Sequence, residues 1–186
     1  MVIWPTRFNI YLLCLALLAS VAGCRSPESK RDKQLAALRL HLEVNPDSLG
    51  LSEAVPIYRA SPIMININRS PFLNEGNVAE ARVIPDSLGG FALAVRFDQM
   101  GTRLLEQFTA ANPGRRLAIF SEFGEKQMEH RWLGAPRIVR RIPNGEISFT
   151  PDATREEAEQ IAKGLNNVAI KNGNQEKPKK SKDKNK

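Results

Sequence analysis

Residue types that commonly carry enzyme chemistry are sparse in this 186-residue sequence. It contains no glycine-rich phosphate loop, no G-x-S-x-G nucleophile turn and no H-E-x-x-H zinc motif. His41 and His130 stand far apart, with no cysteine to complete a metal site, so we expect both to be solvated surface side chains. Glu122, Glu125 and Glu129 fall in a segment that we interpret as a polar loop. The sequence therefore predicts that the protein is not an enzyme, has no metal or cofactor, and offers no identifiable small-molecule substrate.

The two cysteines, Cys14 and Cys24, both belong to the amino-terminal segment. The apolar run over 10–19 is shorter than the roughly 20 residues that a membrane-spanning helix needs. The tetrapeptide Val-Ala-Gly-Cys at 21–24 follows it directly and resembles the lipobox of bacterial lipoproteins. That resemblance implies cleavage after Gly23 and acylation of Cys24 with palmitate-like chains. The alternative is an uncleaved anchor helix, and both interpretations place the rest of the chain on the periplasmic or extracellular side of a bacterial membrane.

The formal net charge of +7 is concentrated in one terminal segment, 171–186, where seven lysines outnumber two acidic residues. The chain from 24 to 170 is close to neutral, which gives no overall electrostatic reason to expect a nucleic-acid partner. Because 171–186 has no aromatic or aliphatic side chain to bury, we predict a disordered tail. The polar segment 24–33 predicts a flexible tether. We expect a helix and a connecting segment over 34–60, and an α+β domain over 61–170.

Hydrophobic spacing in the first half predicts two short helices and a strand. Three leucines at helical spacing predict an amphipathic helix over 33–43, which Pro46 would end. Isoleucine alternates with other residues over 62–68, as in a half-buried strand. Asn74 is expected to cap a short helix through Ala81, with an extended stretch after it.

The segment 91–97 predicts a central strand, because apolar residues occupy both of its faces. Asp98 is a good helix N-cap, and the helix after it is expected to end at Asn112 and to cover the sheet. Its apolar stripe comprises Leu104, Leu105, Phe108 and Ala111.

Further along, the apolar run 117–120 predicts a buried strand. Residues 137–140 and 146–149 predict a hairpin around the turn at Pro143-Asn144-Gly145. Thr154 and Glu157 have the spacing of a capping box, and the helix after them has one apolar face. The pattern predicts an α+β two-layer sandwich, with a mainly antiparallel sheet and helices packed on one face.

Arginines cluster in one part of the sequence, together with a tryptophan. The cluster comprises Arg115, Arg116, Arg131, Trp132, Arg137, Arg140 and Arg141. One interpretation is a basic patch that contacts anionic lipid, acidic protein segments or envelope polymers. The other is that these arginines are outward strand positions balanced by nearby glutamates. Trp132 is either an anchor for a partner or a residue at the rim of the core.

An ordered set of features over 61–168 resembles the periplasmic head subdomain of SecD and SecDF, the membrane subunit that assists protein export. These features are Phe91-Ala92-Leu93-Ala94-Val95-Arg96-Phe97-Asp98 with Gly101, Phe108-Thr109 with Asn112, Gly114-Arg115-Arg116-Leu117-Ala118-Ile119, Ala135-Pro136-Arg137-Ile138, Ile142, Gly145, Phe149-Thr150, Glu157-Ala158, Ile161-Ala162 and Leu165. Glycines, turns and core positions dominate the match, so it concerns fold more than chemistry.

Two departures from the family pattern affect what the resemblance implies. The segment 121–133 is longer and more charged than the family's turn there, and no apolar run of about 18 residues follows residue 23. The resemblance implies a passive module that contacts polypeptides near the export machinery. We therefore expect a lipid-anchored envelope protein that binds polypeptide or protein partners, with exposed strand edges able to add a partner strand. The alternative is a structural envelope lipoprotein that contacts anionic polymers or lipids and is unrelated to export.

Overall fold

A computed structural model describes residues 34–86, 89–124 and 128–175. The predicted lipobox with Cys24, the predicted tether and residues 176–186 of the predicted tail lie outside the described residues. The described residues belong to one compact unit. Among the described residues, no helix has the length and apolar character needed to cross a bilayer.

Nine strands and two α-helices make up the described part of the chain. They are β1 (Ala37–Leu42), β2 (Ser52–Ile57), β3 (Ile63–Asn68), β4 (Leu73–Asn74), β5 (Val78–Pro85), β6 (Phe91–Phe97), α1 (Gln99–Ala111), β7 (Leu117–Phe123), β8 (Glu129–Gly134), β9 (Glu146–Phe149) and α2 (Arg155–Lys171). The strands form a four-stranded sheet in the order β4-β1-β7-β8, a three-stranded sheet in the order β5-β6-β9, and the hairpin β2-β3. Every strand pair is antiparallel. The predicted α+β class with mainly antiparallel strands is confirmed.

The helix predicted over 33–43 is wrong, because this segment forms β1. Leu38 and Leu40 point into the core with a period of two, whereas Leu35, on the predicted helical stripe, is 40% exposed. β1 pairs with β7 over six residue pairs, from Ala37 opposite Glu122 to Leu42 opposite Leu117. Tertiary pairing thus overrides the local helical spacing, and the four-stranded sheet includes residues that precede position 61.

The short helix predicted after Asn74 is also largely wrong. Asn74 does cap a helical turn, through the Gly76 backbone N–H, but the turn is a 3₁₀-helix that spans only Glu75–Asn77. The chain continues directly into β5, where Ala81 pairs with Val95 of β6. The segment is extended because β5 pairs along one side of β6. The sequence correctly predicts that β6 is central, so a strand is needed on each of its sides.

The hairpin predicted for 137–149 is wrong, although its turn at Gly145 is confirmed. β9 pairs with β6, and residues 137–140 form no strand apart from an isolated bridge between Arg137 and Arg116. Gly145 has φ +66, and a Cβ there would collide with Thr102 of α1. The turn therefore packs against the helix and does not close a hairpin.

The polar loop predicted over 121–133 is instead part of a β-hairpin. β7 continues through Phe123, and β8 begins at Glu129, which lies opposite Phe123. Charged residues alternate with buried ones here: Ser121 and Phe123 face the core, and Glu122 lies on the opposite face. This alternation is typical of a half-buried strand. The charged residues on its outer face led to the interpretation of the segment as a loop.

The main core lies between the helices and the inner faces of the two larger sheets. α2 contributes Ile161 and Leu165, which are fully buried, and its predicted capping box between Thr154 and Glu157 is confirmed. α1 begins after its predicted cap, Asp98. Its buried face is rotated from the predicted stripe: Gly101, Leu105 and Thr109 are buried, and Leu104, Phe108 and Ala111 are not.

A second, smaller core covers the other face of the four-stranded sheet, because the hairpin β2-β3 packs there. It consists of Val55, Ile57, Ile65, Ile67, Ala118 and Ala135, with Trp132 packed against it. The sequence predicted β3 but not β2. β7 is therefore buried on both faces, with Leu117 and Ile119 in the main core and Ala118 in the second.

Candidate functional site

A wide cleft opens between β9 and the segment that links β8 to β9. Its volume is about 600 Å³. The linking segment lines it with Arg137, Arg140 and Arg141, and β9 lines it with Glu146 and Ser148. We call this surface the basic cleft.

The basic cleft has an excess of positive charge. Arg140 is exposed and, among the described residues, has no ion-pair partner. Nε of Arg141 lies 3.4 Å from a carboxylate oxygen of Glu106. Glu146 also lines the cleft, but its carboxylate pairs with the guanidinium of Arg82 at 2.6 Å. The charge available to a ligand is therefore cationic, and an anionic segment would fit it.

Five of the seven patch residues predicted from the sequence lie in or beside the basic cleft. Arg116 bridges Arg137 as an antiparallel neighbour, and Nη1 of Arg137 donates to the Gly114 carbonyl at 2.8 Å. Nη1 of Arg115 donates to the side-chain oxygen of Asn45 at 2.9 Å. Backbone pairing thus brings two separate arginine groups together, which the linear spacing alone does not specify.

Arg131, the sixth patch residue, is not part of this surface, because its side chain is only 8% exposed. Its guanidinium donates to Glu157 at 2.7 Å and also pairs with Glu129. The hydrogen bond from Arg131 holds the pKa of the Glu157 carboxyl below its usual value, and the Glu157 carboxylate raises the pKa of Arg131. Arg131 therefore joins β8 to the first turn of α2, which is a structural role.

Trp132, the seventh patch residue, lies on the opposite face of β8 from Arg131. Its ring packs 5.1 Å from that of Phe120 and 5.3 Å from that of His41, measured between centroids. Two clefts of about 510 and 370 Å³ are both lined by Trp132. We call this aromatic surface, formed by Trp132, Phe120 and His41, the tryptophan face. The ring of Trp132 packs at the rim of the second core, and an anchoring role toward a partner stays a prediction.

His41 is not the solvated side chain expected from the sequence, because it is only 7% exposed. Its Nδ1 lies 2.8 Å from the carbonyl oxygen of Asn68, so Nδ1 carries the proton and donates it. Burial lowers the pKa of His41, a shift that the hydrogen bond to Asn68 opposes. The imidazole is thus a neutral donor that ties β1 to the end of β3.

His130 does lie at the surface, with a side chain that is 60% exposed and 3.5 Å from the carboxylate of Glu122. The same carboxylate pairs with Arg39 at 3.3 Å. Glu129 and Glu122 belong to β8 and β7, and Glu125 lies outside the described residues. Over the described ranges, no group of three His, Cys, Asp or Glu side chains is placed to hold a metal ion.

The sequence interpretation missed the residues at the tip of the hairpin β2-β3. Tyr58 has φ +69, unusual for a residue with a side chain, and the adjacent Arg59 donates its backbone N–H to Asp152 at 2.8 Å. Both line the larger cleft beside Trp132. The alternation of Val55 and Ile57 could have signalled β2, but Pro56 between them argued against a strand.

The fold is thus an α+β domain with open, positively charged and aromatic clefts. The family model of the SecDF P1 head subdomain matches residues 52–171. The chain therefore belongs to the SecDF P1 head subdomain family. Comparison with curated proteins finds no match.

Three solved structures of SecDF resemble the chain. One, of a membrane component that enhances protein export, has a TM-score of 0.52 and 21% identity, and covers 79% of this chain and 71% of that one. A super-membrane-facing form has a TM-score of 0.45, 18% identity and coverage of 86% and 32%. A translocon-associated SecDF from Thermus thermophilus has a TM-score of 0.39, 18% identity and coverage of 87% and 34%. The first likeness shows a shared fold; the chain spans about a third of the other two proteins.

Proposed function

We propose that this protein is a lipid-anchored, non-enzymatic envelope protein whose head domain binds polypeptides during protein export. The observation that carries the proposal is membership of the SecDF P1 head subdomain family over 52–171. The lipobox-like tetrapeptide that ends at Cys24 supports an anchored, extracytoplasmic location.

The surface of the domain suits a polypeptide ligand. The basic cleft and the clefts of the tryptophan face are open and have both polar and apolar walls, as expected for a site that binds a flexible chain. Aromatic side chains such as Trp132 contribute contact area at a small cost in conformational entropy. Exposed arginines such as Arg140 add attraction for acidic residues.

A binding experiment with a permanently unfolded protein tests this proposal. The full-length protein, purified in detergent, is titrated into labelled α-lactalbumin that has been reduced and carboxymethylated, with native α-lactalbumin as the matched control. We expect binding of the unfolded form and much weaker binding of the native form. Equal binding of both forms, or binding of isolated anionic cell-wall polymer alone, would contradict the proposal and favour the structural envelope lipoprotein.

A further inference from the structure

β9 forms one edge of the three-stranded sheet, and its register identifies which backbone groups point outward. The Phe97 N–H donates to the Gly145 carbonyl at 2.9 Å, so Phe97 and Gly145 form a hydrogen-bonded pair. Hydrogen-bonded and non-hydrogen-bonded pairs alternate along an antiparallel ladder. Glu146 and Ser148, opposite Arg96 and Ala94, therefore direct their N–H and C=O groups away from β6.

The outward groups of Ser148 are free to bind a ligand. Within the described part of the chain, neither its backbone N–H nor its C=O has a hydrogen-bond partner, and the residue is exposed. The Glu146 N–H makes only a long contact, 3.4 Å, to the side chain of Asn144. Unpaired backbone groups on an exposed edge are a template for a further strand.

The opposite edge of the same sheet, β5, is partly covered by side chains. The side-chain amide of Asn166 in α2 accepts from the Ala81 N–H and donates to the Ala81 C=O, both at 2.8 Å. The side-chain amide of Asn174 donates to the Val78 carbonyl at 3.1 Å. Side chains from α2 and from the residues just after it thus cover the first part of the β5 edge, whereas the β9 edge opens onto the basic cleft.

We propose that the β9 edge binds an extended, acidic polypeptide segment as a fourth strand of the three-stranded sheet. The main chain of the segment pairs with Ser148, and its acidic side chains face Arg137, Arg140 and Arg141 across the cleft. Side chains on one face of a strand repeat about every 6.6 Å, so one line of acidic residues can follow the arginines. The proposal specifies which kind of polypeptide the domain binds, and it rests on the proposed polypeptide-binding function.

A peptide titration tests the inference from both sides of the contact. The probe is a fluorescein-labelled peptide of about eight residues in which Val and Glu alternate. In an extended conformation this peptide is roughly 26 Å long. The matched peptides alternate Val and Lys, or carry N-methyl groups on alternate amides of the Val-Glu sequence. We expect the full-length protein to bind the Val-Glu peptide and to discriminate against both controls.

Ser148→Pro removes the outward N–H without breaking the ladder to β6, and Ser148→Ala is its backbone-neutral control. We expect Ser148→Pro and Arg140→Glu each to weaken binding about tenfold, the loss expected for a main-chain hydrogen bond or a charge contact. Ser148→Ala should bind like the wild type. So should Arg103→Glu, which alters an exposed arginine of α1 that lines none of the three clefts described above. Melting temperatures establish that each variant is folded.

Wild-type affinity in folded Ser148→Pro, or equal binding of the Val-Glu and Val-Lys peptides, would overturn the inference. If Ser148→Pro does not fold, undiminished binding of the N-methylated peptide overturns it instead. Binding of unfolded α-lactalbumin without peptide binding refutes only the β9 edge, and the proposed function stands. Loss of both refutes the proposed function as well.

Discussion

Arg131 and Trp132 are adjacent in sequence yet have unrelated roles, because successive strand residues point to opposite faces. The side chain of Arg131 is 8% exposed and bound to Glu157, whereas Trp132 borders two open clefts. A patch inferred from linear proximity cannot separate them. The role of each side chain therefore depends on which face of the strand it occupies. The sequence did not predict β8, so it could not assign these two residues to opposite faces.

The buried imidazole of His41 predicts how stability depends on pH. Its pKa in the folded state lies below the usual value of 6.5, so the unfolded chain binds a proton first as the pH falls. The free energy of unfolding should therefore decrease below about pH 6.5 and be insensitive to this group above it. Urea unfolding at a series of pH values measures the effect.

His41→Asn is the matched variant, since its side-chain amide can still donate to the Asn68 carbonyl but does not titrate. We expect the difference in stability between wild type and His41→Asn to shift in favour of the variant as the pH falls toward about 5. A difference that is constant with pH would show that His41 is not buried as described.

Cys24 is expected to carry the lipid, because the lipobox-like sequence 21–24 follows an apolar run too short for a comfortable span. Cys24→Ser should abolish incorporation of labelled palmitate in cells and release the protein from the membrane fraction. Cys14→Ser, within the apolar run, is the control and should label normally. Unchanged labelling of Cys24→Ser would mean that the segment is an uncleaved anchor.

At the element scale, strands and helices that carry their own local signals were predictable. β6 has apolar residues on both faces over its seven positions, and α2 has a capping box and one apolar face. β1, β2 and β8 have weaker signals, since leucines at helical spacing, a central proline and alternating charges obscure them. These three segments become strands because they pair with other strands of the sheets. A single sequence does not show which strands pair, so local patterns could not predict them.

Gly164 marks the closest approach of α2 to the chain before β1. A Cβ at this position would lie 2.7 Å from both the Cβ and the backbone N of Ala36. In an exposed helix, Gly→Ala would stabilise by about 1 kcal/mol. Here we expect Gly164→Ala to destabilise by about 1–3 kcal/mol, because rigid backbone must move. Urea denaturation measures this, and a gain in stability would contradict the packing.

Leu165 anchors the same helix in the main core, where it is fully buried. Leu165→Ala should lower the free energy of unfolding by about 2–5 kcal/mol through lost burial and the cavity left behind. Glu159→Ala, at an exposed position of α2, is the control and should change stability by no more than about 0.5 kcal/mol. Equal, small effects of the two variants would mean that the apolar face is misassigned.

For the whole molecule, the arrangement of layers determines the candidate surfaces. β9 pairs with β6 along one of its edges, and the segment that follows β8 lies beyond its other edge. The basic cleft is the space between β9 and that segment. The clefts of the tryptophan face exist because the hairpin β2-β3 covers only part of the four-stranded sheet. The sequence predicted the arginines, but their grouping required strand pairing between residues far apart in the chain.

Site-specific photo-crosslinking in the native envelope tests the central claim, polypeptide binding during export, most directly. Benzoylphenylalanine replaces Val139, an 85% exposed residue of the basic cleft, and, as a control, Leu49, an equally accessible residue that is 81% exposed and outside that cleft. We predict crosslinks from position 139 to newly exported polypeptides, which disappear when protein synthesis is blocked and are absent from position 49. Crosslinks that are identical at the two positions, or that join only cell-wall polymer regardless of synthesis, would contradict the account.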